Sequence, residues 1–224
     1  AHLVTRGDDS IPRSLAAAGW QHIGDPDARN GYLLDAYQGA STSTRKLFVL
    51  TTPTGARYRY VHTLLPSEGY NNSFTAIAPD ARWFVAGEWG TMRRLLVFAM
   101  PSLPPSGPKS RSLPLAAVIS LDRPVRDVQG CEFSSPTTLL CSTNDRSNKL
   151  FGVSSQLVQV RLTRPLNGRS MTATVSLLGQ IPGATACQGS AEVEGIDVHQ
   201  RRMLVSVVAA CSHTTTVYEF ARTH

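Results

Sequence analysis

Apolar residues in this chain fall in short runs rich in Val, Leu, Thr, Tyr and Phe, broken by Gly and Pro, with no sustained helical period. That pattern predicts β-strands separated by turns rather than amphipathic helices. The best helix candidate is Ser14–Ala18, too short to hold together alone. The strands recur as one unit: an apolar strand, a turn of Pro, Asp or charged residues, then a second apolar strand. Its four copies are QHIGDPDARNGYLLDAY, FTAIAPDARWFVAGEW, GCEFSSPTTLLCS and EGIDVHQRRMLVSVV. Their turns centre near Ala28, Asp80, Pro136 and Gln200, which are 52, 56 and 64 residues apart. A chain closed on itself would add a fourth interval of 52 residues. Self-similarity at one period marks a repeat architecture.

The pattern thus predicts an all-β fold in which residues 1–224 form one domain of four sheets around an axis, a β-propeller. Five thinner blades also fit. Blade one takes strands over 21–25, 32–37, 47–52 and 58–64, and blade two over 74–78, 83–87, 95–99 and 115–121. Within blade two, PSLPPSGPKSRSLP reads as a surface loop that no ladder would hold, because Pro cannot donate. Blade three takes 129–133, 139–142, 157–162 and 172–178; blade four takes 195–199, 203–208 and 215–220 and lacks a fourth strand. The apolar stretch His2–Thr5 would complete it, closing the ring and covering a free edge.

The stretch FTAIAPDARWFVAGEWGTMRRLLVFAMP, residues 74–101, resembles a blade of the β-propeller repeat families, with Ala78 and Ala81 where those repeats usually carry Ser and Gly. Residues 19–220 as a whole resemble an exported actinobacterial type of propeller. The segment VEGID, 193–197, is similar to the Glu-Gly opening of lactonase-like and phytase-like propellers, and that resemblance implies a channel metal served by the Glu. Propellers host many activities, so the fold itself implies none.

Composition narrows the setting. With 42% hydrophobic and 17% charged residues the chain is an ordinary folded protein, and no apolar run reaches the ~20 residues that cross a bilayer. It starts at Ala1 without a charged-then-apolar leader, which reads as a mature or trimmed product. The net charge of +6 comes from 19 Arg and three Lys against 16 acidic residues. The arginines are scattered rather than striped with aromatics, so nucleic acid is not the expected partner. Cys131 and Cys141 lie five residues either side of Pro136, and Cys187 and Cys211 twelve either side of His199. Positions equidistant from a hairpin turn face each other at disulfide range. Of three pairings for four cysteines, only 131–141 with 187–211 is local twice. Two disulfides imply an oxidising, secreted or extracytoplasmic location.

Candidate chemistry gathers where the inner strands begin. Aligning the hairpins by their turns puts Gln21, His22, Asn72, Gln129 and Glu194 at equivalent positions around one channel mouth, with Glu88 and Trp89 of GEWG on a nearby rim. Glu194, Asn72 and Asp25 offer oxygens of the kind Ca²⁺ takes, while polar residues facing trapped water would fill such a channel equally well. No GxSxG, P-loop or HExxH is present, and no catalytic residue is assigned. The leading reading is a secreted binding or interaction module for a small molecule, glycan or protein. The alternatives are a Ca²⁺-dependent lactonase- or phosphoesterase-like hydrolase with His22 as base, and a structural subunit of an extracellular assembly.

Overall fold

A computed structural model describes residues 11–69, 73–103, 110–183, 191–199, 202–209, 211 and 215–221. The described residues are all-β apart from one helical turn, α1 (Arg13–Ala16). It runs as four successive antiparallel meanders. The first is β1 (His22–Ile23), β2 (Asp27–Arg29), β3 (Tyr32–Gln38), β4 (Arg45–Thr51) and β5 (Arg57–Thr63). Both β1 and β2 pair with β3, so one inner strand is interrupted at Gly24–Pro26. Pro26 has no N–H to give a ladder, and Asp25 instead bridges Phe74 of the next meander. Asn30 and Gly31 close the β2–β3 hairpin at φ 53° and 79°, the left-handed pair that a tight two-residue turn requires.

The second meander is β6 (Ala76–Ile77), β7 (Trp83–Ala86) and β8 (Thr91–Ala99). The chain then crosses to β9 (Arg111–Ser112) before returning as β10 (Ala117–Arg126). β9 lies inside the Pro/Ser-rich segment expected to hold no ladder, and it pairs in parallel with β5 on the edge of the first sheet. The expectation fails because the prolines flank this dipeptide rather than occupy it. Buried Leu113 then donates its N–H to Val61, strapping the crossing down.

The third meander is β11 (Val128–Ser135), β12 (Thr138–Asn144), β13 (Ser155–Leu162) and β14 (Met171–Gln180). Its last strand does not end at an edge. β14 pairs in parallel with β10, Ile119 opposite Met171, so the second and third meanders form one eight-stranded sheet instead of two separate blades. The fourth meander is β15 (Glu192–His199), β16 (Arg202–Val208) and β17 (Thr215–Ala221), a three-stranded sheet among the described residues. The expected closing strand His2–Thr5 lies outside the described residues.

Each core lies between consecutive meanders. Phe48 of the first packs its ring 5.0 Å from Phe84 and 5.3 Å from Phe98 of the second, joined by Leu34, Leu50 and Leu96. Val85, Leu95 and Ile119 meet Leu139, Val158 and Val160 between the second and third. Val193, Val205 and Val207 pack on Leu140 and Leu157 between the third and fourth. The far face of the first sheet (Tyr37, Leu47 and Val49) is covered by Leu15 of α1 and by Trp20. Cys131 and Cys141, opposite each other on β11 and β12, form a disulfide. Cys211 is also disulfide-bonded, while Cys187, its expected partner, lies outside the described residues.

Candidate functional site

The inner segments of the four meanders meet around one carboxylate. Asp25 donates its N–H to the Ser73 carbonyl (2.7 Å), and Ser73 Oγ donates to the Val128 carbonyl (2.5 Å). Ser142 Oγ, on the strand beside β11, donates to the Glu194 carbonyl (2.5 Å). The circuit returns when the Ile196 N–H donates to Asp25 Oδ2 (3.2 Å), joining residues 171 apart in sequence. Gly130 and Gly195 flank that carboxylate so closely that a Cβ on either would overlap it. These glycines are present because the backbone must approach an acid side chain, not for turn geometry.

On one side of this waist opens a cavity of about 380 Å³. His22, Gln129, Glu194 and Trp89, all singled out in the sequence, line it together with Gln38, Ser41, Ser73 and Glu192. A neck of about 240 Å³, which shares His22, Gln129 and Glu194 with it, leads down to Asp25. Gln21 is exposed and does not line the cavity. Asn72 lies outside the described residues. Sequence reasoning missed Gln38, Ser41 and Glu192; Gln129 Nε2 donates to Glu192 (3.3 Å), a pairing across meanders that no local spacing could signal.

Glu88 and Trp89 part company. Trp89 is 47% exposed and stands between this cavity and a neighbouring one lined by Arg93 and Arg94. Glu88, expected beside it on the rim, is buried, because Arg94 grips both of its oxygens (2.7 and 2.8 Å) and the Gly69 N–H donates to it (2.6 Å). Next to this pair, Lys46 is wholly buried; its Nζ donates to the Gly87 carbonyl (2.8 Å) and pairs with Glu68 (2.8 Å). His62 Nε2 meets the other Glu68 oxygen at 2.8 Å. Burial alone would raise Glu68, but the His62 hydrogen bond and the Lys46 charge hold it down to about 2. This network pins the 64–69 loop and the turn that carries Trp89.

Electrostatics along the axis are acidic and desolvated. Burial pushes Asp25 up to about 7 against the Ile196 hydrogen bond, with Asp27, Glu194 and Asp197 adding repulsion. Burial, with Glu192 nearby, likewise lifts Glu194 to about 7. His22 is held below its usual range by desolvation, so its ring is neutral at pH 7.

Beyond the waist, a second cavity of about 900 Å³ lies between the first and last sheets, with Leu33 on one wall and Leu204 and Val217 on the other. On its floor Asp27 and Glu132 hydrogen-bond to each other, with Arg29 3.3 Å from Glu132. Asp27 accepts the Ile77 N–H, which favours its charged form, so the shared proton resides on Glu132. As for a metal, no three His, Cys, Asp or Glu side chains among the described residues form a group able to hold one. Asp25 Oδ2 accepts the Ile196 N–H between two glycines, and Asn72, another expected oxygen donor, lies outside the described residues.

No protein-family profile matches the chain, and no curated protein matches it in sequence. Solved structures similar to it include the β-propeller domain of the Trilobed protease from Pyrococcus furiosus, described as having an open velcro topology. That likeness is at 8% identity and a TM-score of 0.38, over 91% of this chain and 55% of the other. Another is the β-propeller domain of Cps50 (Swd1) from Myceliophteria thermophila, at 16% identity and a TM-score of 0.41, over 96% and 58%. The chain spans little more than half the length of either. Its similarities are to β-propellers, and they concern fold alone.

Proposed function

We propose that the chain is a four-bladed β-propeller closed by His2–Thr5 along β17, and that it acts as an extracytoplasmic binding module through the cavity at one end of its axis. The circuit of contacts from Asp25 through Ser73, Val128 and Glu194 back to Asp25 supports the ring. The last meander has three strands among the described residues where the third has four, and Val217 on β17 is 58% exposed, which leaves a place for a further strand. Disulfides support the oxidising location.

One observation carries the binding reading: residues from all four meanders supply polar side chains to a single concavity of ligand size. His22 comes from the first, Trp89 from the second, Gln129 from the third and Glu194 from the fourth. Chemical-shift mapping against a small-molecule fragment library tests it. Shifts clustering on His22, Trp89, Gln129 and Glu194 are expected. Hits confined to the outer strands, with the mouth silent, would overturn it.

A further inference from the structure

We propose that the mouth cavity takes a neutral saccharide of one or two rings, with the Trp89 indole as its stacking face; this rests on reading the mouth as the ligand site. The three tryptophans have different jobs. Trp20 is buried against the first sheet, and Trp83 packs so tightly on Gly168 that a Cβ there would overlap its ring. Trp89 alone of the three stands half in water, leaving a large apolar surface that folding does not bury.

The exposure is built rather than incidental. The turn bearing Trp89 is held on both sides of Glu88: Gly87 by the buried Lys46, and the Glu88 carboxylate by Arg94 and the Gly69 N–H. Burying Lys46 and Glu68 carries a desolvation cost, and what this pair fixes is the base of the indole. An aromatic whose backbone is already held in place costs less ordering when a ligand packs against it.

The remaining lining decides the ligand class. Gln38, Ser41, Gln129 and neutral His22 each carry both a donor and an acceptor, which matches hydroxyl groups, and Ser73, whose hydrogen goes to Val128, can still accept. Glu194, lifted to about 7 by burial, does the same in its protonated form. In a chain with 22 basic residues, no Lys or Arg lines the mouth or neck among the described residues, so an anion has nothing to pair with. Of the two lining carboxylates, Glu192 is already engaged by Gln129 and by Arg146 at 3.5 Å and burial lifts Glu194 to about 7, so neither offers an organic cation a full, uncommitted charge. The cavity volume of about 380 Å³ is small, within the usual range for compact ligands.

The test is a titration of the whole chain, followed by isothermal calorimetry and indole fluorescence. The probes are methyl glycosides and disaccharides of glucose, galactose, mannose and N-acetylglucosamine, with choline and spermidine run alongside. Saturable binding of at least one sugar is expected, weakened about tenfold or more by Trp89→Ala, the loss of a stacking contact. Gln129→Ala should weaken it too, and Glu194→Gln, which keeps a donor and an acceptor, should preserve it. Circular dichroism and melting of each variant confirm that the fold is intact. Binding of choline or spermidine that needs Trp89, with no sugar bound, overturns the saccharide class but spares the mouth. Sugar binding indifferent to Trp89→Ala and Gln129→Ala, or no binding by any probe, overturns both.

Discussion

Replacing Asp25 with Asn should make the protein more stable at neutral pH and leave it unchanged in mild acid. A free aspartate titrates near 3.8, whereas burial holds Asp25 at about 7, so ionising it costs about 4 kcal/mol more in the folded chain than in the unfolded one. Because the folded state binds the proton more tightly, the associated stability is complete below pH 4. It falls as the pH rises and is gone above about 7. Glu194 slopes the same way, and Glu68, held down to about 2, changes only below about pH 4.5, outside the informative window. Asparagine keeps an oxygen for the Ile196 N–H and fits between Gly130 and Gly195. Allowing for relaxation, Asp25→Asn should exceed wild type by about 2–4 kcal/mol at pH 8, with the gap closing by pH 4. Urea denaturation at steps between pH 4.5 and 8.5, at constant ionic strength, reads it directly. Wild-type stability that is flat or rises from pH 5 to 7.5, or a gap independent of pH, would refute the placement of this carboxyl.

Two further outcomes follow from the same contacts. Gly195→Ala forces a Cβ into the Asp25 carboxylate and should cost about 1–3 kcal/mol, as overpacking does; urea melts should show most of that loss vanishing when Asp25→Gly is added, and an equal loss in both backgrounds would break the link. Lys46→Met leaves Glu68 charged in a buried site and should cost about 3–5 kcal/mol; thermal melts should show partial recovery in Lys46→Met/Glu68→Gln, and a harmless single substitution would mean the pair is not buried in solution.

What was legible in the sequence was local or periodic. The turn near Asp80 and the Cys131–Cys141 pair each lie within one hairpin, so spacing alone places them, whereas the first turn, expected near Ala28, falls at Asn30–Gly31 because residues 27–29 form β2. His22, Gln129 and Glu194, aligned by their turns in the sequence, line one cavity. Contacts between distant segments left no such trace. The β10–β14 pairing joins residues 52 apart without a turn to announce it. Lys46 alternates like an exposed strand residue yet is fully buried, because Glu68 and Gly87 arrive from elsewhere in the chain. Gly130 and Gly195 look like ordinary strand irregularities until Asp25 is seen between them.

The parallel seam between β10 and β14 also sets how the molecule would come apart. It welds the two middle meanders into a single slab carrying the largest apolar core, while the outer meanders are joined to that slab by side-chain packing and only short backbone contacts, the two-residue β5–β9 pairing and the Asp25–Phe74 bridge among them. Pulled from its ends or probed by amide exchange, the chain should peel from both flanks and surrender its centre last. Anything gripping the mouth would bridge the parts that peel and the part that stays.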